Sequence, residues 1–235
     1  MTSAAGFKEI WVLDFEFSAQ SGEDPDPVCM VAHEIGSGRR LRLWRNELIT
    51  CPFDVGPETL FVAYFASAEL KCFRTLGWPT PERVLDLYAE YRLWQNGNTC
   101  ARGYGLLDAA AAFGIKYMGA TKKTTMRNLI LSGGPWSTRE QLLILNYCEA
   151  DVKLTTELFR AMWPAISAVP DGLGQALFRG RYMTSVAVME SNGIPLDQDL
   201  LSRLRENWSE IKAQLIARID SQYGVYDGAR FVRQK

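Results

Sequence analysis

The chain has 235 residues, with 26 Lys and Arg against 27 Asp and Glu, a net charge of −1, and 47% hydrophobic and 23% charged residues. Such a composition excludes a low-complexity chain and a strongly basic protein that coats duplexes, and the length suffices to bury a core without covalent staples. Five cysteines stand far apart with no C-x-x-C pair, and His33 is the one histidine, so a zinc finger is excluded and reduced thiols in a cytoplasmic protein are expected. No apolar run approaches the roughly 20 residues of a membrane span, and MTSAAGFKEI lacks the basic and apolar blocks of a leader, so no membrane partner is expected.

In chain order, KEIWVLDFEF (8–17) predicts a first strand, followed by a turn-rich SAQSGEDPDP. VCMVAHEI and RLRLWRNEL, divided by GSGRR, read as two more strands joined by a hairpin, giving the sheet an antiparallel start. LFVAYFAS predicts another strand running into the helical AELKCFRTLG, which Gly77 and Pro79 close. VLDLYAEYRLW starts as strand and continues as helix, and YGLLDAAAAFGI is helical to Gly114. The clearest helix starts at Ser137 as N-cap, with Glu140 three residues on completing a capping box; Leu142, Leu145, Val152, Leu158 and Phe159 recur at helical spacing, and a break in its middle is allowed for. SAVPDGLG (167–174) marks a seam, beyond which the pattern is helical. The expected division is therefore an α/β domain over 1–167 and a helical segment over 168–235.

Two carboxylate pairs carry the chemistry. Asp14 and Glu16 lie two apart at the end of an apolar strand, so both project from one face. Like charges that close repel unless a cation sits between them, and oxygen donors of this kind suit magnesium or manganese. Taken alone, D-x-E is more often a strand end with solvated acids. Tyr147 and Asp151 lie four apart on the strongest helix, hence on one face, a spacing equally common on amphipathic helices.

Taken together and in their surroundings, VLDFEF and ILNYCEADVKLTTELF resemble the first and third motifs of the DEDD (DEDDy-type, DnaQ-like) 3′→5′ exonuclease domain of family A DNA polymerases, as in phages and bacteria. RYMTSVAVMESNGIPLD resembles the helix leading from exonuclease to polymerase in that family. The second motif departs from the family's H-N-A-x-F-D. Here Tyr64-Phe65-Ala66-Ser67-Ala68-Glu69 places Glu69 at the acid position, and Tyr64 and Phe65 replace histidine and asparagine. The extra methylene moves a carboxylate by about 1.5 Å, and Asp86 in VLDLY competes for the role; Glu69 is preferred because LKCFRTLGW follows it as the family's strand-to-helix step does.

The resemblance implies a ribonuclease H-like α/β fold, a mixed five-stranded sheet with flanking helices plus a C-terminal helical extension. It implies that Asp14, Glu16, Glu69 and Asp151 bind two Mg2+ or Mn2+ ions, with Asp14 bridging them, and that Tyr147 orients the attacking water. Nucleoside 5′-monophosphates would leave a single-stranded or frayed DNA 3′ end, in a proofreading-type enzyme with a polymerase domain in the same chain. Phe17, Phe65, Lys123 and Arg127 are the expected substrate contacts, with Lys122 beside them in a basic turn. The alternatives are an RNase D-like exoribonuclease and a catalytically weak DNA-holding scaffold, toward which the altered second motif points.

Overall fold

A computed structural model describes residues 6–19, 22–97, 103–116 and 123–232. Five strands form one mixed sheet: β1 (Glu9–Ser18), β2 (Asp26–Glu34), β3 (Arg40–Trp44), β4 (Thr59–Ala63) and β5 (Val84–Asp86), in the order β3-β2-β1-β4-β5. β1, β2 and β3 pair antiparallel, while β4 and β5 run parallel to β1. The antiparallel start expected from the two short apolar runs is present.

Alternation along β1 builds a core on each face. Ile10 and Val12 pack with Val31, Val62, Leu85, Ile144, Cys148, Val152 and Leu158 on one side. Trp11, Leu13 and Phe15 pack with Phe53, Phe61, Phe73 and Trp78 on the other, ring edges meeting ring faces. Helix α1 (Ala66–Thr75) serves the second face. The first face is served by α2 (Leu87–Trp94), α3 (Leu106–Ala112), α4 (Lys123–Leu131), α5 (Thr138–Ala168) and α6 (Gly172–Asn192). The run around Lys123 and Arg127, expected as a basic turn, is thus the helix α4.

α5 begins where the capping box predicts. Ser137 accepts from the Glu140 amide, and the Glu140 carboxylate accepts from the Ser137 amide at 2.8 Å. The helix runs unbroken through 31 residues, with Pro164 inside it. Of the residues expected on its buried face, Val152, Leu158 and Phe159 are buried, whereas Leu142 is exposed and Ile144 and Cys148 take the inward positions.

The chain divides into two compact units, 1–192 and 193–235, so the seam near 168 lies inside the first. The reason is packing: α6 sits on β5, and Gly180 approaches so closely that a Cβ there would stand 1.9 Å from the Val84 carbonyl oxygen. Arg179 adds a two-pronged bond to the buried Glu90 of α2, at 2.6 and 2.8 Å. The second unit holds α7 (Gln198–Glu206), α8 (Trp208–Tyr223) and a hairpin of β6 (Tyr226–Asp227) and β7 (Arg230–Phe231). Among the described residues no helix is long and apolar enough to cross a membrane. Cys29, Cys51, Cys72 and Cys148 are free thiols, and Cys100 lies outside the described residues.

Asp86 closes β5 and organises both helix starts beside it. Its Oδ1 accepts from the amides of Tyr88 (2.9 Å) and Phe65 (3.0 Å), and its Oδ2 accepts from the Ala66 amide at 3.1 Å. It thereby caps α2 and ties the entrance of α1. Phe65, the residue before α1, holds φ +70°, ψ +56°, a left-handed conformation that costs a bulky side chain about 1–2 kcal/mol. Asp86 therefore has a structural assignment that its competition for the acid role did not anticipate.

Two expectations follow. Gly180→Ala must push α6 off β5 and lower stability by about 1–3 kcal/mol, read as a lower urea midpoint. Burial raises the Asp86 carboxyl from 3.8 to about 6, against the pull of its backbone donors. The unfolded chain then binds fewer protons than the folded one between those values, so stability falls as pH rises through that window and is level above it. Asp86→Asn removes this dependence: in urea unfolding with EDTA, the parent's stability relative to the variant should decline by on the order of 2–3 kcal/mol across that window.

Candidate active site

The parallel ladder between β1 and β4 ends at Val12 and Val62, while β1 continues to Ser18. Beyond that point β1 is paired only with β2, and a register shift between Glu16 and Phe17 marks a bulge, a device that re-aims side chains at the rims of sheets. Asp14 and Glu16 occupy this overhang, both half-buried, on the face that α5 covers. The Phe15 amide, without a β4 partner at this level, donates to Glu69 Oε2 at 2.7 Å. Glu69 is buried in the first turns of α1, and its side chain crosses from that helix to β1.

From the other side, α5 brings Tyr147, Cys148 and Asp151 to the same place. The Cys148 thiol donates to the Asp14 carbonyl oxygen at 3.2 Å and stands 3.5 Å from Asp14 Oδ2. Tyr147 hydrogen-bonds Asp151, which is buried.

The electrostatics bind these groups into one cluster. Burial raises the Glu16 carboxyl well above the ordinary carboxylate range, and the charges of Asp14, Cys29, Asp151 and Glu69 raise it further. Burial likewise raises Glu69, with Asp14, Asp86 and Asp151 adding to it and the Phe15 amide opposing. The Tyr147 phenol is pushed far up by burial and by Asp151, Glu16 and Asp14, and keeps its proton at any physiological pH. Glu69 and Asp151 are thus felt at Glu16, and Asp151 at Tyr147, although among the described residues only Asp14 and Glu16, with Cys148, bring ligand atoms within 4.8 Å of one another.

The donor set fits divalent cations. Ligand atoms of Asp14, Glu16 and Cys148 lie within 4.8 Å of one another, and the field on Glu16 comes from other acidic groups. Carboxylate oxygens crowded in this way are relieved by a hard cation. Cys148 was not among the residues singled out from the sequence. It precedes Asp151 by three positions, so the helical spacing alone places both on one face.

The expected substrate contacts divide. Glu16, Phe17, Arg127 and Tyr147 line one open cleft of about 790 Å3, with Thr124 and Asn128 of α4 on its far wall. Phe17 also packs against the second core at its margin. Phe65 is 42% exposed beside the start of α1, with Tyr64 partly buried behind it. Lys122 and the side chain of Lys123 lie outside the described residues.

No family model matches the chain, and no curated protein matches it. Solved structures do. One described as the apo form of a nuclease aligns with a TM-score of 0.53 at 14% identity, covering 81% of this chain and 88% of that one. Escherichia coli RNase D, described as an exoribonuclease involved in structured RNA processing, aligns with a TM-score of 0.48 at 13% identity, over 88% of this chain and 52% of that one. The EXO domain of Aedes aegypti Nibbler aligns with a TM-score of 0.47 at 8% identity, over 75% and 89%. At such identities the likeness concerns the fold: a mixed five-stranded sheet with flanking helices, the ribonuclease H-like architecture found in nucleases.

Proposed function

We propose that the chain is a metal-dependent 3′→5′ exonuclease that removes nucleoside 5′-monophosphates from single-stranded or frayed DNA ends, of the proofreading type associated with family A polymerases. The observation that carries this reading is the meeting of Asp14 and Glu16 on one face of β1, with Glu69 bonded to the Phe15 amide between them and Tyr147 bonded to Asp151 on the helix that covers that face. A nuclease fold agrees with it.

Asp14, Glu16, Glu69 and Asp151 would hold two Mg2+ or Mn2+ ions. Such ions, when bound, supply Lewis-acid polarisation of the phosphodiester and of water. The chain's own groups do the rest. Tyr147, holding its proton and bonded to Asp151, orients the attacking water without acting as the base. Attack of water at phosphorus, its proton passing to solvent, breaks the bond to the 3′ oxygen, which takes a proton from solvent and becomes the new 3′ hydroxyl. Arg127, exposed in the cleft that Phe17 also lines, would meet phosphate, and Phe17 would meet the terminal base.

The anchored Glu69 alters one expectation drawn from the family motif. By motif, aspartate, the family's own acid at this position, would preserve or raise activity. Here the longer side chain is what reaches the Phe15 amide, so shortening it by about 1.5 Å breaks that bond and withdraws the acid.

A 3′-labelled single-strand assay with Mg2+, Mn2+ or EDTA tests the proposal. Mononucleotide release should need the metal and fall at least about a hundredfold in Asp14→Ala; persistent activity in that variant rejects the site. Glu69→Asp should lose on the order of a hundredfold, and undiminished activity would show that its bond to β1 is dispensable. Matched DNA and RNA oligonucleotides separate a DNA exonuclease from an RNase D-like one. Binding of DNA without metal-dependent release, at high protein concentration, supports the scaffold instead.

A further inference from the structure

Phe65 is a bulky residue in a left-handed conformation, and such outliers persist only where the surroundings over-determine them. The determinant is Asp86: its Oδ1 accepts from both the Phe65 amide and the Tyr88 amide, so one buried oxygen fixes two aromatic residues from different elements. Their rings meet edge to face with centroids 5.0 Å apart. Phe65 stands one helical turn before Glu69, and Asp86 acts on Glu69 electrostatically, so this pair adjoins the acid cluster.

Leading away from that pair, α2 presents Arg92 one turn after Tyr88. Arg92 Nη1 donates to Tyr88 Oη at 3.0 Å, and its guanidinium lies 5.7 Å from the Tyr88 ring and 4.9 Å from the Tyr104 ring. Tyr104, 37% exposed, is held by the Tyr64 hydroxyl, which donates to its carbonyl oxygen at 2.5 Å. Among the described residues Arg92 is exposed, and its contacts are with these two phenols, with no carboxylate opposite it. The result is a row of ring, ring, guanidinium and ring, fixed by a buried carboxylate at one end and a tyrosine bond at the other.

We propose that Phe65, Tyr88, Arg92 and Tyr104 form a track for the single strand that feeds the acid cluster, receiving nucleotides on the 5′ side of the scissile phosphate. The inference rests on the nuclease reading and adds to it a binding path. Two exposed rings, Phe65 and Tyr104, with the half-buried Tyr88 and a guanidinium that faces no carboxylate among the described residues, suit stacked bases on an anionic backbone, whatever their sequence. A protein partner of apolar character would leave Arg92 buried without a counter-charge.

The test is binding of 5′-labelled oligothymidylates of two, four, six and eight nucleotides, followed by fluorescence anisotropy in EDTA, so that no turnover intervenes. Affinity of the parent should rise with length. Arg92→Gln should weaken the octamer about tenfold, within the range for one stacked base, and leave the dimer within about twofold. Phe65→Gly supplies a variant whose backbone suits the left-handed position: its urea midpoint should match or exceed the parent's while octamer affinity falls, and Phe65→Trp should restore it. Equal losses for dimer and octamer, no loss in either variant, or parent affinity independent of length would overturn the track. Length-dependent binding without metal-dependent hydrolysis would overturn the nuclease reading and support the track, so the two failures are distinguishable.

Discussion

Where β4 stops and β1 does not, a strand edge is left with an open backbone donor inside the protein. A buried amide without an acceptor is costly, and the Phe15 amide finds its acceptor in Glu69. That bond brings a helix-borne carboxylate onto the strand that carries Asp14 and Glu16. It also explains why an acid with a longer side chain occupies this place, since the donor lies across the gap between α1 and β1.

The left-handed turn at Phe65 serves the same end. β4 must leave the sheet abruptly after Ala63 for α1 to begin above the overhang of β1, and the turn does this in two residues. Phenylalanine is a poor choice for that conformation on steric grounds, and a buried carboxylate at the end of β5 compensates by accepting from the amides on either side of the bend. Strain, cap and acid cluster are thus neighbours along the C-terminal edge of the parallel strands.

Crowding acids into one site has an electrostatic consequence. Each ionised carboxylate raises the others, and burial removes the water that would screen them. Around the cluster, two aromatic and aliphatic cores pack on either face of β1, and a continuous α5 covers the sheet with Ile144, Val152 and Leu158 buried beneath it. Carboxylates crowded in this way would be relieved by a cation, and Cys148 adds a sulfur among the oxygens.

Much of this was legible in the residues themselves, because it depends on local periodicity. The strand D-x-E, the capping box at Ser137 and Glu140, and the helical spacing of Tyr147 and Asp151 follow from side-chain directions within one element, as does the antiparallel opening of the sheet. The family resemblance supplied the expectation that these elements meet, and the ribonuclease H-like sheet agrees with it. What the sequence could not decide concerns contacts between elements. Whether Glu69 or Asp86 faces the cluster depends on which backbone donors surround each one, and those donors belong to β1, α1 and α2 together. That α6 belongs to the first unit depends on Gly180 meeting a carbonyl oxygen of β5, 96 positions earlier in the chain. The left-handed Phe65 looks like any aromatic at a strand end until the register of β1 against β4 requires the bend, and register is a property of the assembled sheet.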